Sequence, residues 1–322
     1  MAVNNSLVAK QNQRLGITAY LTNDAVKNQI NQVIGGKDGT RFISAVVSAV
    51  NNNPALQECT NQSILSAALL GQSLNLSPSP QLGQYYMVPF NDKNKGKVAQ
   101  FQLGYKGYIQ LAIRSGQYKK LNVLAIKEGE LIRFDPLNEE IEVKLIEDEE
   151  AREQAATIGY YAMFEYTNGF KKAMYWSKKK MLAHADKFSQ AFSKDGGTVK
   201  AKYGEKKKVS FADFEAGNYD PADAWMYSSF WYKDFDGMAY KTMLRQLISK
   251  WGIMSIDMVS AMDADMAVIN EDGSKDYVEN DDSVVDMEQE DMERPDAPAQ
   301  QAEPTQERKA PMDAQAALFG NN

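Results

Sequence analysis

The chain has 322 residues, 43% of them hydrophobic and 10% aromatic, enough for one large domain or two smaller ones around a substantial core. A single cysteine, Cys59, and a single histidine, His184, exclude a disulfide framework and a cysteine- or histidine-rich metal centre. The net charge of −7 conceals a split: residues 271–322 hold 15 acids and 4 bases, leaving residues 1–270 with 28 acids, 32 bases and a net of +4. A mildly basic body suits a polyanionic partner, and the acidic end reads as a docking, regulatory or merely solubilising segment. The first residues lack a basic start followed by an apolar run, and no apolar stretch approaches ~20 residues, so neither a signal peptide nor a membrane span is expected.

Residues 1–20 are Asn- and Gln-rich and weakly patterned, and read as a flexible arm. Arg41–Val50 carries helical spacing, and Asn51-Asn52-Asn53-Pro54 breaks it. Thr60 or Asn61 caps a helix through Ile64, Leu65, Ala68 and Leu69, which Pro78 and Pro80 end. Tyr85–Phe90 and Lys97–Leu103 read as a hairpin. A helix fits between Gly104 and Gly116. Strands follow at Leu121–Lys127, Leu131–Phe134 and Ile141–Leu145, then an acidic connector at Glu147–Glu153. Thr157–Thr167 and Phe170–Trp176 flank Asn168-Gly169, a strong signal for a tight hairpin because both residues tolerate positive φ. Ser177 caps a helix with Met181, Ala185, Phe188 and Phe192 on one face. Residues 193–222 show no clear period and read as a long loop. Ala224–Trp251 is helical again, with a break expected near Gly237 and a stop at Gly252. From about residue 270 the chain is acidic, rich in Pro, Gln and Ala, and expected to be disordered.

The helix after Gly104 divides its faces. Tyr105, Tyr108, Ile109 and Ala112 form a core stripe, whereas Lys106, Gln110 and Arg114 line up at i, i+4, i+8 and could donate to successive phosphates. An ordinary solvated face is the simpler alternative. The helix near residue 245 repeats the design, with Tyr240, Leu244, Leu247, Ile248 and Trp251 inward and Lys241, Arg245 and Ser249 opposite. Lys178, Lys179 and Lys180 crowd a helix start, where the macrodipole disfavours cations, a conflict that a docked anion would relieve. Lys93, Lys95 and Lys97 crowd a hairpin tip, and Lys200, Lys202, Lys206, Lys207 and Lys208 the long loop. Aromatic residues between Phe101 and Phe235 are interleaved with these charges; most belong to the core, and one or two at a groove edge could stack on bases.

Signals for catalysis are weak. No GxxxxGK[ST] loop occurs, and Gly35-Gly36-Lys37-Asp38-Gly39-Thr40 lacks its spacing. No GxSxG elbow is present. His184 lies one position from the apolar face of its helix and reads as structural. Glu139-Glu140-Ile141-Glu142 and the pair Asp234/Asp236 are the only hints of an acidic metal site, and neither spacing is diagnostic.

Several segments, read in order, resemble the RecT family of phage recombinases: Asn53-Pro54-Ala55-Leu56 with Ser66-Ala67-Ala68-Leu69, Leu74-Asn75-Leu76-Ser77-Pro78, Gln84-Tyr85-Tyr86-Met87-Val88-Pro89-Phe90, the run from Phe101 to Gly116, and Lys241-Thr242-Met243-Leu244-Arg245-Gln246-Leu247. The likeness covers roughly residues 40–255, and its third and fourth segments are the most specific. It implies an α+β fold: a compact core with a small antiparallel β-sheet and β-hairpins flanked by helices, RecT/Redβ-like, followed by a disordered acidic C-terminal tail. Together with the composition of the two ends, which add little to the resemblance itself, it divides the chain into a flexible N-terminal arm and oligomerisation segment (1–39), a DNA-binding and annealing domain (40–255) and an acidic, mostly disordered tail (256–322).

The same resemblance implies ATP-independent binding of single-stranded DNA and annealing of complementary strands, without hydrolysis, in a homo-oligomeric ring or helical filament in the bacterial cytoplasm. Expected partners are single-stranded DNA and the annealed duplex intermediate, a phage 5′→3′ exonuclease, and a host single-strand-binding protein. Read from its own residues, the tail could compete with DNA for the groove through its acids, or dock on a host replication protein through Ala316-Ala317-Leu318-Phe319-Gly320. No cofactor is expected; Mg²⁺ enters only as a modulator of DNA binding. The expected DNA-binding residues are Lys106, Tyr108, Gln110 and Arg114, with Lys241 and Arg245 as a second wall, and Lys178, Lys179, Lys93 and Lys97 at the margins. The alternatives are a protein that protects single strands or loads replication factors without annealing, and a metal-dependent nuclease.

Overall fold

The computed structural model describes residues 16–277, apart from 93–94, 139, 190 and 202–203. Three helices open the chain, α1 (Ile17–Leu21), α2 (Asp24–Ile34) and α3 (Gly36–Asn51), followed by a 3₁₀ turn (Pro54–Glu58) and α4 (Asn61–Ser73). The hairpin β1 (Tyr85–Asp92) and β2 (Gly96–Leu103) leads into α5 (Tyr105–Arg114). Then come β3 (Tyr118–Lys127), β4 (Leu131–Asp135), β5 (Glu140–Val143), α6 (Glu149–Gln154), β6 (Thr157–Tyr166), β7 (Lys171–Ser177) and α7 (Lys178–Phe188). A small hairpin, β8 (Thr198–Ala201) and β9 (Gly204–Lys207), precedes α8 (Phe211–Glu215), a 3₁₀ segment (Pro221–Tyr227), α9 (Phe230–Lys233) and α10 (Phe235–Trp251). The described chain ends with α11 (Ile256–Ala264), β10 (Ala267–Ile269) and β11 (Lys275–Tyr277). No helix among the described residues is long and apolar enough to cross a membrane.

Two antiparallel sheets organise the body. The first runs β1-β2-β10-β11 and the second β3-β6-β7. β1 and β2 pair from Tyr85 opposite Leu103 to Asp92 opposite Gly96. β2 is buried continuously from Val98 to Leu103, as a central strand covered on both sides should be. Its polar members are satisfied: the Gln102 amide donates to Gln100 Oε1 (3.0 Å), and the Gln100 amide donates to the Met266 carbonyl. Thr60 caps α4 as expected, accepting from the Ser63 N–H (3.4 Å), and Ser63 Oγ in turn accepts from the Ala99 N–H (2.8 Å), which ties α4 to β2.

The first core gathers α1 to α4, the first sheet, α5 and α11. The second gathers the second sheet, α7 and an aromatic group that includes Phe192, Phe211, Tyr227, Trp231, Tyr232 and Phe235. α10 belongs to both. Ala239, Met243 and Leu247 face the second core, and Leu244 and Ile248 face the first. Adjacent helical positions lie about 100° apart, so the two four-residue stripes present separate faces of one helix.

Five expectations need correction. The flexible arm of residues 1–39 is helical from Ile17 onward, and Ile17, Tyr20, Leu21 and Ile30 are buried in the first core. The acidic connector is in part the helix α6, capped by Asp148 Oδ1, which accepts from the Ala151 N–H (2.9 Å). The long loop of residues 193–222 is ordered around rings too widely spaced to show a period: Phe214 packs on Tyr219, Tyr227 and Tyr232 at 4.7–5.0 Å. The stretch from Ala224 to Trp251 starts as the end of a 3₁₀ segment, and its expected break falls at Asp234 rather than Gly237: the Asp234 carboxylate accepts from the Gly237 N–H (2.9 Å) and so caps α10. Residues 256–277, assigned to the tail, fold back as α11, β10 and β11, and β10 joins β2 through Ala267 opposite Phe101. The rest of the acidic tail, with the tip at residues 316–320, lies outside the described residues.

Candidate nucleic-acid interface

The first glycines of the α5 segment set its position. A Cβ on Gly104 would lie 2.1 Å from the Gly83 carbonyl oxygen, and one on Gly107 would lie 2.1 Å from that of Gln84. Two glycines three residues apart therefore let the helix start seat against the backbone before β1, and the Gly104 N–H donates to the Gln84 carbonyl (2.9 Å). That seating turns Tyr108, Leu111 and Ala112 into the core and leaves Lys106, Gln110, Ile113 and Arg114 exposed. Tyr105 packs edge-on against Tyr240 of α10, 5.6 Å between centroids.

Along the exposed row, Lys106 forms no ion pair among the described residues, and its ammonium lies 5.9 Å from the Tyr105 ring. Arg114 is held by two carbonyls, donating from Nη1 to Leu74 (2.8 Å) and from Nε to Gln110 (3.3 Å). Leu74 is the C-terminal cap of α4, so the guanidinium also compensates that helix end. Its Nη2 makes no hydrogen bond, and the side chain no ion pair, among the described residues. The row is thus a pair of exposed cations with an amide between, spaced about 6 Å per step along the helix axis.

The expected second wall is not available in this form. Asp265, 2% exposed, sits between α11 and β10 and accepts from Lys241 Nζ (2.9 Å), Arg245 Nη1 (2.7 Å) and the Leu103 N–H (2.9 Å). Lys241 is a buried structural cation: its side chain is 9% exposed, and reaching a phosphate would mean leaving the buried Asp265 carboxylate that compensates its charge. Arg245 is more open but shares the same carboxylate. Tyr108 is fully buried, so its ring cannot stack on a base; burial raises its hydroxyl pKa, as does Asp265, against the opposing influence of Arg245. Nothing in the helix period distinguished Lys241 from Lys106. The acid that decides it lies 24 residues downstream, and a lone Asp after a short helix carries no signal of its own.

The marginal lysines divide similarly. Lys178 donates to both carboxylate oxygens of Glu215 (2.7 and 2.9 Å), which relieves the helix-start conflict without a docked anion. Lys179 is exposed and forms no ion pair among the described residues. Lys97 pairs with Glu58, and Lys93 lies outside the described residues. Lys208 is 7% exposed, donates to the Ala191 carbonyl (3.0 Å) and sits 5.1 Å from the Tyr232 ring; burial pushes its pKa down to about 8.

Of the residues weighed for metal or acid–base chemistry, Glu139 lies outside the described residues, Glu140 pairs with Arg133 (2.9 Å), and the others treated next have structural partners. Asp236 accepts from the Tyr160 hydroxyl (2.6 Å), and Asp234 is the α10 cap. His184 lies between Trp176 and Phe188, with centroids at 5.4 and 4.6 Å, and burial lowers its pKa, as do Arg245 and Lys180. Burial pushes the Cys59 thiol up to about 12, only partly offset by a backbone hydrogen bond at Phe90. Among the described residues no group of three or more His, Cys, Asp or Glu side chains is placed to hold a metal ion.

Comparison with known proteins matches residues 40–285 to the RecT family model. The chain is 37% identical over 272 residues to the Bacillus subtilis (strain 168) protein named uncharacterized protein YqaK, covering 84% of this chain and 78% of that one. It is 27% identical over 255 residues to protein RecT of Escherichia coli (strain K12), covering 77% of this chain and 80% of the relative. The matched span takes in both sheets, the α5 row with its two glycines and the buried Asp265, and on that extent the chain belongs to the RecT family.

Proposed function

We propose that the protein binds single-stranded DNA and anneals complementary strands without hydrolysing nucleotide. The observation that carries this reading, beyond family membership, is the Lys106–Gln110–Arg114 row: one helix face, rigidly seated through Gly104 and Gly107, exposing cations that no described acid neutralises. Such a row grips phosphates and releases counterions. It offers nothing that reads base edges, so the sequence information stays with the bases, which remain able to find their complements. Lys179 extends the same sequence-independent attraction. Assembly into a ring or filament would repeat the row along a strand, and a 5′→3′ exonuclease would supply the single strands; both belong to the proposal.

The test is a nucleotide-free annealing assay with labelled complementary oligonucleotides and the full-length chain, comparing wild type with Lys106→Ala/Arg114→Ala. Wild type accelerates duplex formation and the double variant loses most of that acceleration. Wild-type protein that retains single strands but slows their pairing would instead identify a strand-protecting protein.

A further inference from the structure

A second surface combines cations with one exposed and one half-buried indole. A cleft of about 270 Å³ straddles β7, an edge strand of the second sheet. Its walls include Lys172 and Trp176 of β7, Lys180 of α7, and Lys250 and Trp251 at the end of α10, and no described acid lines it. Trp251 is 52% exposed although it closes a core helix, and its carbonyl is fixed by the Tyr166 hydroxyl (3.1 Å). Ammonium groups already lie on both indoles: Lys172 Nζ is 3.5 Å from the Trp251 centroid and Lys180 Nζ 4.4 Å from that of Trp176.

We propose that this cleft is a stacking subsite for single-stranded DNA, in which Trp251 and Trp176 take bases while Lys172, Lys180 and Lys250 take the adjoining phosphates. Two observations converge. The lining carries cations and no described acid, so it complements a polyanion. Indole faces held by ammonium groups are poised for exchange: a phosphate draws the lysine away, and the uncovered face accepts a base, whatever its identity. The inference rests on the proposed function and adds a base-contacting element that the α5 row lacks.

The experiment uses the full-length chain with oligo(dT) and with an abasic oligonucleotide of equal length, following intrinsic tryptophan fluorescence and salt-dependent affinity. Trp251→Ala is the first variant, because the ring is open to solvent; Trp176→Phe and Lys180→Ala/Lys250→Ala follow, with melting curves confirming the fold. Wild type should bind oligo(dT) with indole quenching. Trp251→Ala should weaken oligo(dT) binding about tenfold while leaving abasic binding unchanged. The lysine pair should lower the salt slope by about 1.4, or 0.7 per phosphate contact. Wild type that binds both oligonucleotides equally, with Trp251→Ala indistinguishable from it, overturns the subsite and leaves the proposed function standing. Wild type that binds neither at low salt overturns both.

Discussion

Replacing Asp265 by Asn tests the assignment of Lys241 as a structural rather than a DNA-contacting cation. The substitution keeps the side-chain volume and offers an amide oxygen to the Leu103 N–H, but it removes the charge that Lys241 and Arg245 share. The Lys241 side chain is 9% exposed, so its ammonium becomes a buried, uncompensated charge. Removing one partner of such a pair costs roughly 3–5 kcal/mol. The Arg245 side chain, 39% exposed, turns to water and adds no more than about 1 kcal/mol. The expected loss is thus about 4 kcal/mol, which for a body of this size lowers Tm by roughly 8–16 °C. Thermal melts followed by far-UV circular dichroism at fixed scan rate read it directly. Adding Lys241→Met to the variant should recover at least half of the loss, because the buried charge goes with it. A drop below about 2 °C for the single variant, or no recovery in the double, would refute the reasoning.

Three further outcomes are expected. Lys106→Ala/Arg114→Ala should reduce the slope of log affinity for single strands against log salt by about 1.4, and an unchanged slope would remove the α5 row from the interface. Gly107→Ala must displace α5 from the Gln84 carbonyl and should cost about 1–3 kcal/mol in a urea melt; equal stability of the two proteins would show that the close approach is dispensable. Lys208 has a folded pKa of about 8, below its value of 10.5 in an ordinary setting, so the unfolded chain binds the extra proton between those values. Its burial penalty is therefore complete below about pH 8 and is relieved as pH rises above it. Stability should climb between pH 8 and 9.5 in wild type by about 1–2 kcal/mol more than in Lys208→Met, and parallel pH curves would contradict this.

Local chemistry made much of the fold readable. The Thr60 cap, the turn at Asn168-Gly169 (where Gly169 alone takes a positive φ, 89°) and the divided faces of α5 each depend on residues within one or two turns of each other. The misjudged segments share a different physics. α11 has Met258, Ala261 and Ala264 inward and Ile256 and Val259 open to solvent, so its pattern is apolar on more than one side and gives no amphipathic signature. β10 has three residues, all buried, too few for a period. At the candidate interface, helical spacing identified which cations leave the core on α5 but was blind to where acids return from distant sequence. Lys241, Arg245, Lys178 and Lys97 each meet a carboxylate 20 to 39 residues away, and those encounters exist only once the chain is folded.

The closure of the first sheet has a consequence during synthesis. β2 gains its neighbour β10, and the Leu103 N–H its acceptor Asp265, only from segments more than 160 residues downstream. α10, which walls both cores, begins at Phe235. A nascent chain stalled before that point holds two half-built interiors with their apolar faces open, although vectorial synthesis ordinarily favours early folding of what emerges first. Ribosome-tethered lengths that end at residue 234 should remain protease-sensitive throughout, and resistance should arrive in a single step once residues 235–277 have cleared the exit tunnel.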